Sequence, residues 1–378
     1  METFVKMTNH CIRIGLENNC STLKRLSLLS YHELDYDVLS SYKLNAISQA
    51  CGRLSQMKQS IKRGRVTKSP FIRKPFMTNC YGIKRNNTLL SIPFKYHQSV
   101  NILLNSHTMQ ILSDKSLKIR SFSMTPTSIS LCISKQVDEI KCTNVVGIDR
   151  NLRNVTVGNS QLVTFYKTNK LLSIKENTIH ARGGFKRNDN RVKSIFWKNK
   201  NNRMQNRTKQ FIHKISRQIV NNALETKSMI AFENLKGIRK MYRKGNDQGN
   251  KYRRKLNGWQ FYEFLRQVEY KARWVGIPVI SIDPKCTSKL CPVCGKRIQE
   301  DKLQSRKLWC NNCMKSMDRD VVASLNISYK GWTRFIHHQD DTGEAESDAF
   351  ESAMSEHKLS NYDNLSIRIV DVSKSGSR

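Results

Sequence analysis

The chain has 378 residues and carries 66 Lys and Arg against 30 Asp and Glu, a formal net charge of +36. A chain of this length predicts two or three domains. So much positive charge repels itself unless a polyanion neutralises it, which favours a nucleic-acid partner. No apolar run approaches the roughly 20 residues of a membrane span, and the first residues lack the apolar core of a signal peptide. We therefore expect a cytoplasmic protein; membrane-surface binding is the weaker alternative, because no basic amphipathic segment has an aromatic face.

The amino-terminal third divides into a helical part and a β-rich part. Residues 1–30 show no clear pattern, whereas residues 30–62 have about one apolar residue per turn, which predicts helices. Prolines interrupt residues 70–140, and residues 128–134 alternate like a half-buried strand. We interpret this region as a small β-barrel with helices before it or inserted in it.

Two apolar runs further along predict buried strands that end in carboxylates. Val-Val-Gly-Ile-Asp ends at Asp149, and Met-Ile-Ala-Phe-Glu ends at Glu233. Ligands of α/β folds usually bind at the carboxyl ends of such strands. Each carboxylate alone is more often a solvated strand end or a helix cap. Several carboxylates that converge from distant parts of a basic chain can hold hard divalent cations, which prefer oxygen ligands and retain water for attack on a phosphodiester.

A long, strongly basic segment, residues 182–226, lies between these two strands and becomes helical towards its end. A solvated helix face is the ordinary explanation for a run of charges. Because this face carries one sign of charge, we favour a groove for a nucleic-acid backbone. The candidate nucleic-acid-binding residues are Lys186, Arg187, Arg191, Lys193, Arg203, Arg207, Lys209 and Lys214.

Four cysteines form two Cys-x-x-Cys pairs, Cys291/Cys294 and Cys310/Cys313, with fifteen residues between the pairs. This spacing fits a tetrahedral site with four sulfur ligands, as structural zinc prefers; a disulfide and chance are the alternatives. Four protein ligands leave no open position for chemistry, so we expect the zinc to hold a small ribbon together. The remaining cysteines have no pairing pattern, which a reducing cytosol permits.

Two carboxylates, Asp318 and Asp320, open an apolar-periodic helix directly after the second cysteine pair. Either of them would complete an acidic set with Asp149 and Glu233, and each can instead cap the helix. Together with the order of predicted strands and helices, such a set favours an RNase H-like nuclease. After residue 332 the composition becomes acidic and rich in serine, which predicts a disordered tail over residues 333–378.

Five blocks of sequence carry a family resemblance. They are N-V-V-G-I-D-R-N-L-R-N-V-T-V from residue 144, I-A-F-E-N-L-K-G-I from 230, F-Y-E-F-L-R-Q-V-E-Y-K-A-R-W-V-G-I-P-V-I-S-I-D-P-K-C-T-S-K-L-C-P-V-C-G from 261, W-C-N-N-C from 309 and D-R-D-V-V-A-S-L-N-I from 318. In this order they resemble TnpB, the family of transposon-encoded RNA-guided nucleases related to the type V CRISPR effectors. The chain departs from the family at Val322, where Asn is common, and at Cys286, where an aromatic residue is common.

The resemblance implies an α/β and α+β multidomain protein. Its parts would be a helical recognition region (1–70), a β-barrel wedge region (71–142), an RNase H-like RuvC core (143–284), an inserted zinc ribbon (285–317), a last RuvC segment (318–332) and the acidic tail (333–378). It also implies that Asp149, Glu233 and Asp320 are the catalytic carboxylates and bind one or two Mg²⁺, and that Cys291, Cys294, Cys310 and Cys313 bind Zn²⁺.

The implied function is RNA-guided DNA cleavage by a protein of a prokaryotic transposable element. Its partners would be a guide RNA from the transposon end and target DNA, and it would have no small-molecule substrate. In the cell it would associate with the nucleoid. Three alternatives stay open. One is an RNA-independent transposase or resolvase on the same fold, and another is a nuclease-inactive, guide-directed repressor, which would need a lost carboxylate. The third, a zinc-ribbon nucleic-acid binder, leaves Asp149 and Glu233 unexplained.

Overall fold

The computed structural model of the protein describes residues 1–184, 190–235, 249–301, 304, 306–339 and 359–372. The chain divides into two compact units, Met1–Gln136 and Val137–Arg378. Within the described ranges, no helix combines the length and the apolar character that a membrane span requires.

Helices make up the first part of unit 1. Residues 1–30, which showed no clear pattern in the sequence, contain two of them; in the first, Phe4, Met7, Cys11 and Ile14 are three or four residues apart and all buried, so they form one apolar face. Of residues 30–62, for which the sequence predicted helices, Ser40–Lys62 form one helix. The helices are α1 (Glu2–Glu17), α2 (Leu23–Ser30) and α3 (Ser40–Lys62), and α1 packs along α3.

The second part of unit 1 has two antiparallel sheets of three strands. One has the order β2-β3-β4 and the other the order β1-β5-β6. The sequence predicted a single small β-barrel here. A barrel closes by an unbroken ladder of strand pairs, and no strand pairing joins the two sheets within the described residues, so the structure does not confirm a closed barrel. The elements are β1 (Met77–Asn79), β2 (Lys84–Asn86), β3 (Leu89–Lys95), β4 (Gln98–Leu103), α4 (Ser106–Leu112), β5 (Lys118–Met124) and β6 (Ile129–Ser134).

A six-stranded mixed sheet forms the centre of unit 2, in the order β11-β10-β7-β8-β9-β15. Three successive strands, from residue 144 to residue 167, pair antiparallel as a meander, and the first of them is the apolar run that ends near Asp149. Strand β10 lies parallel to β7 on its other side, and β11 lies parallel to β10. The strands are β7 (Asn144–Arg150), β8 (Asn154–Gly158), β9 (Leu162–Lys167), β10 (Ser228–Glu233), β11 (Val279–Ile282) and β15 (Ser366–Val370).

Helices cover both faces of this sheet. Successive residues of a strand point to opposite faces: Ile230 and Phe232 lie in a core with apolar residues of α6 and α8, whereas Met229 and Ala231 lie in another with Ile327 of α9. The central strands are therefore apolar on both faces, which explains why they read as continuous apolar runs. The helices are α5 (Asn169–Gly183), α6 (Asn190–Glu225), α7 (Asn250–Gly258), α8 (Phe261–Trp274) and α9 (Arg319–Gln339).

A small antiparallel sheet, with Cys310 at the end of one strand and Cys313 in the turn that follows, leads directly into α9. Its strands are β12 (Gln299–Glu300), β13 (Lys307–Cys310) and β14 (Lys315–Asp318). Leu308 and Met317 form its core together with Val322 of α9, which is fully buried there. An apolar side chain therefore suits position 322 in this chain, where the TnpB pattern commonly has Asn.

The disordered tail predicted from residue 333 was wrong for the part of it that the structure describes. Residues 333–339 continue α9. Residues 362–364 form a short 3₁₀ turn, and β15 pairs parallel with β9 over five residues. The acidic residues of this region lie mostly at positions 340–358, outside the described residues. The prediction of disorder rested on the composition of the whole region, and the short strand Ser-Ile-Arg-Ile-Val was therefore missed.

Candidate active site and metal centre

Three carboxylates from three separate elements line one cavity of about 970 Å³ in unit 2. Asp149 is the penultimate residue of β7, Glu233 is the last residue of β10, and Asp320 is the second residue of α9. The sequence predicted these residues as one set, and the structure brings all three together.

Backbone geometry explains why the three carboxylates meet. Because Ala231 pairs with Gly147 in the parallel ladder, Glu233 and Asp149, each two residues further along, lie side by side on the same face of the sheet. Helix α9 crosses this face in direct contact with β7: a Cβ added to Gly147 would lie 2.1 Å from the carbonyl oxygen of Ser324. Asp320 is four residues before Ser324, one helical turn nearer to the end of the strand.

The electrostatics of the cavity reflect this convergence. Burial raises the pKa of Asp149 to about 7, with further contributions from the negative charges of Glu233 and Asp320. Burial also raises the pKa of Glu233, although a hydrogen bond from Thr287 and the charge of Arg150 oppose the rise. A divalent cation would relieve the mutual repulsion of these carboxylates. Their oxygen-rich donor set therefore fits Mg²⁺.

Neutral donors hold each carboxylate. The Asn151 side chain donates to Asp149 Oδ2 at 2.6 Å, and the Asn154 side chain donates to Asp320 Oδ2 at 3.0 Å. The Thr287 hydroxyl donates to Glu233 Oε1 at 2.5 Å. These bonds fix the directions of the carboxylates and leave other oxygen lone pairs available for a metal. No local sequence pattern marks Asn151, Asn154 or Thr287 as part of the site.

Two arginines also contact the acidic set. Arg150 is buried, and its Nη2 donates to the backbone carbonyl oxygen of Glu233 at 2.6 Å; burial lowers its pKa to about 10. Arg306 stands just before β13, and its Nη2 donates to both oxygens of Asp320, at 2.5 and 2.7 Å. The Arg306 side chain is 57% exposed, whereas that of Asp320 is 5% exposed. Arg306 therefore supplies a solvent-facing positive charge to a buried carboxylate.

Asp318 and Asp320, the rivals for the third position, have different environments. Asp318 Oδ1 accepts the backbone N–H groups of Asp320 at 2.8 Å and of Val321 at 3.3 Å, which is the N-cap interaction of α9. Asp320 lines the cavity and Asp318 does not. Asp318 thus stabilises the helix start from which Asp320 projects.

The four paired cysteines form a second candidate metal site. All four are free thiols, and their Sγ atoms lie within 4.8 Å of one another. Two of the separations are 3.8 Å (Cys291 to Cys313) and 3.5 Å (Cys294 to Cys310). Zinc–sulfur bonds of about 2.3 Å in a tetrahedron separate the sulfurs by about 3.8 Å. The cluster therefore fits a four-coordinate metal ion.

The candidate nucleic-acid-binding residues are described only in part. Arg203, Arg207, Lys209 and Lys214 are exposed along α6, whose opposite side buries apolar residues such as Phe211 and Ile215. Lys186 and Arg187 lie outside the described residues, as do the side chains of Arg191 and Lys193. Nucleic-acid binding by this face stays a prediction.

Sequence comparisons point to one family. Residues 261–327 match the family model of the Cas12f1-like TNB domain. The chain is 29% identical over 255 residues to the TnpB-like protein MJ0751 of Methanocaldococcus jannaschii, a match that covers 64% of this chain and 89% of the relative. It is 32% identical over 157 residues to the CRISPR-associated endodeoxyribonuclease Cas12f1 of Sulfoacidibacillus thermotolerans, over 41% of this chain. That second match spans only 34% of the length of Cas12f1.

Comparison with solved structures indicates the fold. The chain matches Cas12f1 in the cryo-EM structure of a Cas12f1–sgRNA–target DNA complex with a TM-score of 0.58. The match covers 86% of this chain and 80% of that one, at 14% sequence identity. The protein thus has an α/β multidomain, nuclease-like fold. Taken together, the sequence matches show that the chain is similar to TnpB-like and Cas12f proteins.

Proposed function

We propose that this protein is an RNA-guided DNA endonuclease with a RuvC-type active site formed by Asp149, Glu233 and Asp320. The observation that carries the proposal is that these carboxylates, from two strands and one helix, line the same cavity. Burial there, together with the charges of Glu233 and Asp320, raises the pKa of Asp149. The names of the relatives support it, since Cas12f1 is an endodeoxyribonuclease and its solved complex contains an sgRNA and target DNA.

The order of elements supports an RNase H-like core. Three strands, helices, a strand, helices and a strand follow one another, and the cysteine-bearing sheet interrupts the chain before α9. We assign residues 143–284 and 318–332 to a RuvC core and residues 285–317 to an inserted zinc ribbon. Four sulfur ligands leave zinc no open position, so its role in the ribbon would be structural.

The residues around the carboxylates fit metal-dependent phosphodiester hydrolysis. Mg²⁺ held by Asp149, Glu233 and Asp320 would activate water and stabilise the negative charge on the leaving oxygen. Asn151, Asn154 and Thr287 would keep the three carboxylates turned towards the ion through the hydrogen bonds described above.

Arginines of the cavity would act on the DNA backbone. Arg153 and Arg319 line it together with Arg306, and guanidinium groups bind phosphate oxygens in a bidentate way. Arg306 is paired with Asp320 in this structure. Its exposed guanidinium would be available to a phosphate group whenever this ion pair is open.

RNA and DNA are the proposed partners. A net charge of +36 favours a polyanionic partner, and the exposed cations of α6 supply one basic face. Base pairing with a guide from the transposon end would select the target sequence, while the protein would read the shape of the duplex and a short flanking motif. An RNA-independent transposase or resolvase would use the same carboxylates, so cleavage alone does not separate the two functions.

Two linked measurements test the proposal. RNA that co-purifies with the protein is sequenced, and the complex is then assayed for cleavage of a plasmid that carries the matching target. We expect a discrete RNA from the locus of the gene and cleavage that requires Mg²⁺. The Asp149→Ala variant should lose cleavage, whereas Asp138→Ala, which removes an exposed carboxylate of the same unit, should retain it. Cleavage that is undiminished after RNase treatment would instead favour the RNA-independent nuclease.

A further inference from the structure

Residues 359–372 form a segment that packs against several parts of unit 2, and we call it the carboxy-terminal clamp. Its strand β15 extends the sheet by pairing with β9 from Ser366 to Val370. Leu359 and Leu365 are buried in a cluster with Val163 of β9 and with Val321 and Leu325 of α9. One short segment therefore connects the edge of the sheet with the first turns of α9.

Polar contacts tie the clamp to the ribbon as well. The Lys315 ammonium donates to Asn361 Oδ1 at 2.9 Å and also contacts the carboxylate of Asp363. Tyr362 is packed against both the ribbon cluster and the α9 cluster. Its hydroxyl oxygen accepts the backbone N–H of Asp318 at 3.2 Å.

These contacts lead to the active site in two steps. Tyr362 holds the backbone of Asp318, and the carboxylate of Asp318 accepts the N–H groups of Asp320 and Val321. Strand β14 ends at Asp318 and α9 begins at Arg319, so no linker separates the ribbon from the helix that carries Asp320. A tilt of the ribbon would therefore move the Asp320 carboxylate directly.

We propose that the carboxy-terminal clamp fixes the ribbon and the start of α9 against the sheet, and that Tyr362 is a positioning residue for Asp320. This inference rests on the proposed function, in which Asp320 binds the catalytic metal. Tyr362 does not line the cavity that holds the three carboxylates, so it acts on Asp320 through Asp318.

The test uses the full-length protein with its co-purified RNA and the Tyr362→Phe variant, which keeps the ring and its packing but removes the hydroxyl acceptor. We expect the single-turnover rate of DNA cleavage to fall about threefold to tenfold, as the loss of one hydrogen bond predicts. The Mg²⁺ concentration at half-maximal rate should rise, while the affinity for target DNA stays unchanged. Lys315→Gln, which weakens the same connection from the ribbon, should shift both quantities in the same direction.

Tyr270→Phe is the matched control, because Tyr270 lies on α8 and its hydroxyl contacts only His213 at 3.4 Å among the contacts described for it. It should leave the rate and the Mg²⁺ dependence unchanged. A Tyr362→Phe variant that matches this control in both quantities would overturn the proposal. So would a variant that loses thermal stability and DNA affinity in proportion to its rate with an unaltered Mg²⁺ dependence, since that pattern indicates a merely structural role.

Hydrogen exchange provides a readout that does not depend on catalysis. In the Tyr362→Phe variant, the amides of Asp320 and Val321 should exchange faster than in the wild type, because their acceptor Asp318 is less constrained. Unchanged exchange in the peptide that covers the first turn of α9 contradicts the clamp even if the protein proves not to cleave DNA. Faster exchange in a protein without nuclease activity keeps the clamp and removes the proposed function.

Discussion

The raised pKa of Asp149 gives a quantitative prediction about stability. Moving the pKa of this carboxyl from its ordinary 3.8 to about 7 is a shift of about three units, or about 4 kcal/mol at 1.36 kcal/mol per unit. Between about pH 4 and pH 7 the folded protein keeps a proton that the unfolded chain has released. The free energy of unfolding therefore falls by about 1.4 kcal/mol per pH unit in this window and levels off above about pH 7.

The Asp149→Asn variant should lack this pH-dependent fall in the free energy of unfolding, because its side chain does not ionise. The Asn151 side chain, which donates to Asp149 Oδ2 at 2.6 Å, can donate to the new amide oxygen instead. In Mg²⁺-free buffer at pH 8 we expect the variant to be more stable than the wild type by about 2 to 4 kcal/mol, with a smaller difference at pH 5. Urea denaturation of both proteins at a series of pH values measures this difference in the free energy of unfolding.

A control and an ion separate this effect from a general change in charge. Asp138→Asn removes one negative charge from an exposed position of the same unit, and its stability should follow the wild type at each pH. Saturating Mg²⁺ should stabilise the wild type more than the Asp149→Asn variant, because binding to the folded state adds stability. If the free energy of unfolding depends on pH in the same way in the wild type and in Asp149→Asn, then burial and the neighbouring carboxylates do not raise the pKa of Asp149, and the reasoning is refuted.

Three further predictions concern the packing of α9, the cysteine cluster and the arginine beside Asp320. Gly147→Ala should lower the free energy of unfolding in urea by about 1 to 3 kcal/mol or more, because its Cβ would meet backbone atoms of α9 at 2.1 Å; a wild-type midpoint would contradict that close approach. Cys310→Ser should reduce the zinc content measured by atomic absorption from one ion per chain, whereas Cys132→Ser, at an exposed position of unit 1, should retain it; equal zinc in both variants argues against a four-sulfur site. Arg306→Gln should lower the Mg²⁺ concentration for half-maximal thermal stabilisation by about twofold to fivefold, because Mg²⁺ no longer has to displace the Arg306–Asp320 ion pair. A higher Mg²⁺ concentration in the variant would mean that Arg306 assists Mg²⁺ binding.

The sequence predicted those parts of the site that have a local signature. An apolar run that ends in a carboxylate identified Asp149 and Glu233, and the spacing of the cysteines identified their cluster. The choice between Asp318 and Asp320 rested on the family resemblance. Backbone hydrogen bonds to Asp318 provide the physical reason for the difference, and no local pattern contains them.

Other features depend on residues that are distant in sequence, and single-sequence patterns do not contain them. Thr287 donates to Glu233 across 54 positions, and nothing in the residues around Thr287 indicates that partner. Strand β15 is only five residues long and follows an acidic stretch. The composition of the whole tail therefore predicted disorder and gave no sign of the strand. The two sheets of unit 1 consist of short strands. A closed barrel and two separate sheets both show alternating apolar and polar residues along each strand, so the sequence pattern does not reveal which strands pair.

The central claim is that Asp149, Glu233 and Asp320 bind a divalent metal ion together. Anomalous diffraction from crystals of the protein grown with saturating Mn²⁺ tests it most directly, because Mn²⁺ accepts the same oxygen ligands as Mg²⁺ and scatters anomalously. We predict an anomalous peak in the cavity, within about 2.0 to 2.5 Å of oxygens from at least two of the three carboxylates, and its loss in Asp149→Ala. Mn²⁺ bound elsewhere, with Arg306 still paired to Asp320 and no peak among the three carboxylates, would contradict the account.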